Sequence, residues 1–218
     1  MILYMKAGPD GTSIGDCPFA HYVRMTLEEK GLAYNPQPRV QATKPQWLVD
    51  SYEGKMPALH FKNECRVESS YIAEYLDEAY PEPPLKTDTA AMQAAEAAIE
   101  GIFPLIAGYL KHVPDGDEED KKLMEKLEVA LSKLNDHLAA TPGDFIAGST
   151  VTLIDLSLTP KLYILKLGNE VFKKGALDIK GKFPALQAYM DTMFARPSFT
   201  KTAYPPDVFA WGWSSKRV

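Results

Sequence analysis

A chain of 218 residues with 45% apolar side chains is long enough for one large or two small cores. A mild formal charge of −5 gives no reason to expect nucleic acid or an anionic membrane as its main partner. Two cysteines, Cys17 and Cys65, exclude a disulfide scaffold and at this spacing form no metal cluster.

Met1–Ala7 reads as a short apolar strand and lacks the basic, apolar and cleavage regions of a signal peptide. No apolar run reaches the ~18–20 residues that cross a bilayer. Free thiols fit a reducing compartment: cytosol, or plastid stroma if a transit peptide has been removed. Gly8–Thr12 is turn-rich. Pro18 fits a first helical position, where its missing N–H costs nothing, and Phe19, Val23 and Leu27 then form one apolar stripe. Gly31 stands where a C-terminal cap is expected, and Leu32–Tyr34 begins a second strand.

Lys44–Leu48 reads as a short helix or turn. Lys55–Phe61 is a strand entered through Met56-Pro57, Cys65–Val67 its hairpin partner, and Ser69–Tyr80 a helix. The order β-α-β then β-β-α is the thioredoxin-like pattern, a small mixed sheet with helices on its faces. The proline-rich Pro81–Leu85 cannot continue a helix and marks a linker, so residues 1–80 and 86–218 are read as two domains.

The second domain reads as all-helical. Thr89–His112 is Ala-rich and expected to kink at Pro104. Asp117–Ala140 carries Leu123, Leu127, Leu131, Leu134 and Leu138, and Leu153–Leu167 and Phe183–Arg196 are two more helices. The acidic run Asp115–Asp120 fits the electrostatics of a helix start. Thr152 with Asp155 resembles a capping box that starts a buried helix.

The chemistry concentrates around Cys17. As the N-cap before Pro18, its sulfur faces the N–H groups of Phe19 and Ala20 and the positive end of the helix dipole. Both favour thiolate, lowering a pKa that is ~8.5 in a free cysteine. Cys17-Pro18-Phe19-Ala20 holds no second cysteine, so an oxidised Cys17 needs an external thiol, and glutathione is the obvious small one. Lys6 ends the first strand, and its ammonium would help hold a thiolate and attract an anionic substrate. Asp16 would raise the thiol pKa and is better assigned to hydrogen-bonding substrate hydroxyls. A cis Met56-Pro57 bond would turn the Met56 backbone outward to pair with an extended peptide. Glu68-Ser69, at a helix start, is ready for a carboxylate. His21 is expected to be a partly exposed helix residue, and Cys65 a strand residue with no role.

Cys17-Pro18-Phe19, Met56-Pro57, Glu68-Ser69 and the Thr152–Asp155 cap together resemble the glutathione transferase superfamily. Within it, GDCPF, TLEEK, KPQW, EGKMP, YPEPPL and LSLTPKLYILKLG are similar to plant-type dehydroascorbate reductases, over nearly the whole chain from Lys6 to Trp213. The resemblance implies a thioredoxin-like domain followed by an all-α domain. It implies glutathione as electron donor and co-substrate, dehydroascorbate as acceptor, no tightly bound cofactor, and a monomer. Carried over, Cys17 is the redox nucleophile and Lys6 and Asp16 flank the acceptor site. Lys44 meets a glutathione carboxylate, Met56 and Pro57 its peptide backbone, and Glu68 with Ser69 its γ-glutamyl end. Trp213 matches a tryptophan in a similar tail. Ala20 stands where the family often has serine, and His21-Tyr22 where it usually has Gln-Arg.

Three other readings compete. Omega-type thioltransferase activity uses the same cysteine position, and a non-catalytic module would bind glutathione without turnover. The stretch KAGPDGTSIGDCPF also resembles chloride intracellular channel proteins, in which the segment after Cys17 should become a membrane span. Here that segment holds Arg24, Glu28, Glu29 and Lys30, each costing ~2.5–3.5 kcal/mol at a helix centre.

Overall fold

The structure is a computed structural model that describes residues 1–86, 89–114 and 118–217. The strands are β1 (Ile2–Lys6), β2 (Asn35–Arg39), β3 (Ala58–Phe61) and β4 (Glu64–Val67), in sheet order β2-β1-β3-β4. β2 runs parallel to β1, whereas β3 is antiparallel to both β1 and β4. The second strand starts later than Leu32–Tyr34 and reads NPQPR. Two prolines are tolerated because β2 is an edge strand. The β3–β4 turn places Lys62 and Asn63 at φ 51° and 63°, the left-handed pair that matches strand twist in a tight hairpin.

Helices α1 (Pro18–Glu29) and α3 (Ser69–Ala79) pack on one face of this sheet, and α2 (Gln46–Tyr52) follows a 3-10 turn at Gln41–Thr43. Alternation along β1 sends Leu3 and Met5 into a core with Leu59, Val23, Leu27, Ile72 and Leu76. Each such side chain contributes about 1.5–3 kcal/mol of burial.

The remaining helices are α4 (Ala90–Ile99), α5 (Ile102–Lys111), α6 (Glu119–Ala140), α7 (Leu153–Lys173), α8 (Ile179–Lys182), α9 (Pro184–Ala195), α10 (Pro197–Thr200) and α11 (Pro206–Ser214). The expected kink at Pro104 does not occur. The helix breaks instead at Gly101, whose φ of 70° ends the α-helical path. Pro104 lies in the first turn of α5, where no intrahelical N–H is lost. Contrary to the hydropathy reading, Ala90–Lys111 is long and apolar enough to cross a membrane by length and composition, at mean hydropathy 1.2. Of the acidic run, residues 115–117 lie outside the described residues.

In α7 the expected box forms: Asp155 accepts from the Thr152 N–H and hydroxyl, both at 2.8 Å. The buried Asp155 carboxylate also accepts from Ile146 N–H at 2.9 Å and the Tyr189 hydroxyl at 3.0 Å.

The chain divides into two compact units. One is Met1–Lys86 with Pro197–Gly212, and the other is Thr87–Arg196 with Trp213–Val218. This grouping differs from the 1–80 and 86–218 reading, because Pro197–Gly212 packs into the sheet-bearing unit. Arg24 donates to the Thr202 carbonyl at 2.6 Å, and the His21 ring stacks near Phe199 and Tyr204 at 5.4 and 5.7 Å. The proline-rich stretch is also tied down. Buried Lys30 donates to the carbonyls of Tyr80 and Pro83, at 2.7 and 2.5 Å. Asp77 accepts from both Lys30 and the Leu85 N–H.

Candidate active site

Cys17 reaches its position through a loop that doubles back on β1. Asp10 closes the loop by accepting from the Thr12 and Ser13 N–H groups and the Ser13 hydroxyl. Gly15 N–H then bonds the Lys6 carbonyl at 2.9 Å. A Cβ at Gly15 would overlap the carbonyl oxygens of Ala7 and Lys6, so only glycine lets the chain pass this close. Asp16 is thereby delivered beside Lys6 and Cys17 to the mouth of α1. Cys17 is the N-cap, with extended backbone at φ −73° and ψ 115°, and Pro18 opens the helix.

The electrostatics of Cys17 differ from the sequence expectation. Burial pushes its thiol up, and this outweighs the Ala20 and Phe19 N–H groups that pull it down. Asp16 adds to the rise and Lys6 opposes it. The helix N-terminus acts on the sulfur as expected, but from sequence there was no way to weigh it against desolvation. Cys65, half-buried on β4, has its thiol raised by burial and lowered by Arg66.

A cleft of about 300 Å³ opens between α1 and the start of α3. It is lined by Phe19, Lys55, Met56, Pro57, Glu68, Ser69 and Ser70. Four of the residues expected to bind glutathione, Met56, Pro57, Glu68 and Ser69, thus face one space. The Met56-Pro57 bond is cis. Glu68 has φ 68° and ψ 115°, a conformation that costs a non-glycine residue about 1–3 kcal/mol. Its carbonyl accepts the Ile72 N–H at 2.9 Å, so α3 holds it in place. Lys55 was missed in the sequence. Its ammonium lies 3.7 Å from Glu68 and 3.8 Å from Glu53, which brings a cation to the cleft. The pattern of a strand entered through Met-Pro offered no sign of it. Lys44 is absent from the cleft lining, and its side chain lies over Gly54.

Lys6 forms an ion pair with Asp16, and its Nζ lies 5.5 Å from the Trp211 ring centre. Asp16 is 1% exposed, so the substrate-facing carboxylate expected from the sequence is covered and given to Lys6. His21 corrects the expectation of partial exposure: it is 2% exposed, with Nε2 3.0 Å from the Thr202 hydroxyl. Burial, and then the Arg24 charge, depress its pKa to about 3. Trp213 is buried, with Lys216 Nζ 4.6 Å above its ring.

Residues 13–84 match the family model for the glutathione S-transferase N-terminal domain, and residues 89–192 match that for its C-terminal domain. The chain is 35% identical over 204 residues to glutathione S-transferase DHAR2 of Arabidopsis thaliana, covering 93% of this chain and 91% of that protein. It is 33% identical over 206 residues to the probable glutathione S-transferase DHAR1, cytosolic, of Oryza sativa subsp. japonica, covering 94% and 92%. The crystal structure of Chlamydomonas reinhardtii dehydroascorbate reductase aligns with a TM-score of 0.80 at 28% identity, over 99% of this chain and 97% of that one. The chain belongs to the glutathione transferase superfamily, in its plant-type dehydroascorbate reductase branch. The four-stranded sheet with its cleft is thus the N-terminal half of the glutathione transferase fold, and helices α4–α9 belong to its C-terminal half. A Tau-class glutathione S-transferase from mango shares the fold at a TM-score of 0.79 and 18% identity.

Proposed function

We propose that this protein reduces dehydroascorbate to ascorbate with two molecules of glutathione, using Cys17 as its single redox sulfur. The reading is carried by the cleft in which Met56, Pro57, Glu68 and Ser69 converge, bordered by Phe19 two residues from Cys17. The relatives named above support it. An extended thiol peptide fits there, with a strand-like backbone partner at Met56 and a helix start at Ser69 for its carboxylate.

In the first step dehydroascorbate gains two electrons and two protons, and Cys17 with one water becomes the sulfenic acid. One glutathione condenses with that sulfenic acid, releasing water and leaving a mixed disulfide at Cys17. A second glutathione thiolate attacks the mixed disulfide, giving oxidised glutathione and free Cys17. Lys6 attracts the carbonyl oxygens of the electron-poor acceptor, and Lys44, which lies over Gly54 beside the cleft residue Lys55, meets a glutathione carboxylate. Glutathione is a co-substrate here, and the protein acts as a monomer. Relatives are named both cytosolic and chloroplastic, and either reducing compartment fits two free thiols.

The test is a glutathione-dependent assay on dehydroascorbate and on a mixed-disulfide substrate. Wild type should show ping-pong kinetics with dehydroascorbate as the better substrate. Cys17→Ser should lose more than about a thousandfold in kcat, and Cys65→Ser should keep most of it. A dead Cys65→Ser variant would move the site. Faster turnover of the mixed disulfide would favour thioltransferase activity.

A further inference from the structure

The sequence offered no reason to connect the C-terminal tail with Asp16. In the fold, Gly212 on α11 meets that carboxylate directly. A Cβ on Gly212 would overlap Oδ1, Oδ2 and Cγ of Asp16. The carboxylate has little room to yield, since Asp16 is 1% exposed and ion-paired to Lys6. The neighbouring Trp211 supplies the ring beside the Lys6 ammonium. One helical turn thus touches both members of the pair.

We propose that Gly212 is a positioning residue: its missing side chain lets α11 seat Asp16 against Lys6, and so fixes the Lys6 ammonium on the acceptor side of Cys17. The acceptor meaning of this arrangement rests on the function proposed above; the arrangement itself does not. A side chain at position 212 drives the carboxylate off its seat. Lys6 then loses its partner, and its ammonium swings free on a flexible stem. Trp211, with its ring centre 5.5 Å from Nζ, then remains as the contact of the ammonium on this turn, and it faces the charge with a ring instead of an anion.

Two readouts separate the parts. The first is acylation of Lys6 by acetic anhydride, followed by mass spectrometry and normalised to the exposed lysines. Gly212→Ala should raise Lys6 labelling roughly three- to tenfold. Asp16→Ala should do the same. The double variant should go no further than either single one, because the methyl then has nothing to strike. The second readout is steady-state kinetics. Gly212→Ala should raise KM for dehydroascorbate about tenfold, with KM for glutathione unchanged, a split that general destabilisation does not produce.

Wild-type Lys6 labelling in a folded Gly212→Ala protein overturns the proposal. Faster labelling without any change in acceptor KM upholds the seat and removes Lys6 from the acceptor site instead. Where Gly212→Ala fails to fold, folding of the Gly212→Ala/Asp16→Ala double variant upholds the contact, and its failure to fold overturns it.

Discussion

Cys17, half-buried against the sheet core, stands at a helix start that favours its thiolate and in a desolvated setting that disfavours it, with desolvation the larger effect. Its immediate charges tune the balance in opposite directions. Asp16→Asn should speed alkylation of Cys17 by iodoacetamide at neutral pH several-fold, because it removes the nearby anion. Lys6→Met should slow it. Rate–pH profiles read both, and opposite signs would mean that Lys6 and Asp16 do not act on the sulfur. His21 gives a second pH effect. Its pKa falls from 6.5 to about 3 on folding, so the unfolded chain binds the proton first as pH drops. The stability from neutral His21 is complete above 6.5 and is lost as pH falls toward 3, at up to about 1.4 kcal/mol per pH unit. Urea unfolding at pH 6.5 and 5 should show the wild type losing about 2 kcal/mol more than His21→Asn.

Among the elements, the stretch after α3 behaves as part of its unit. Lys30, at the C-terminus of α1, holds Asp77 of α3 and two carbonyls of the chain leaving α3. Its side chain is fully buried, so truncation leaves an uncompensated carboxylate behind. Lys30→Ala should cost about 3–5 kcal/mol in denaturant unfolding. Lys30→Ala combined with Asp77→Ala should recover part of that loss, since the stranded charge is gone. The helix rhythm of α1, α3, α6 and α7 was legible because their apolar residues recur every three or four positions. The break at Gly101 was not. Glycine and proline stood three residues apart, and choosing between them needs the register of the helix, which puts Pro104 in a harmless first turn.

Across the whole molecule, Pro197–Gly212 is far from α1 in sequence yet belongs to the same unit. Thr202 takes Arg24 and His21, and Phe199 and Tyr204 are buried around the His21 ring. A chain truncated after Arg196 should therefore lose stability in its sheet-bearing unit. Thermal unfolding of that truncation should begin at least about 10 °C lower, and Trp47 fluorescence should report the early step. An unchanged transition would mean that the segment is an appendage.

Locally encoded features were determined by sequence alone: the β-α-β and β-β-α order, the N-cap at Cys17, the box at Thr152–Asp155 and the helical second half. Each depends on residues within a turn or two of one another, and local sterics and hydrogen bonding suffice to set them. Only the tertiary structure decided which distant groups share a space. Asp16 came to Lys6 and Gly212, Lys55 to Glu68, and His21 to Thr202. Desolvation is likewise a property of the packed chain. A thiol's sequence neighbours state its charges and dipoles, but its desolvation, the largest effect on Cys17 here, depends on the folded core against which it packs.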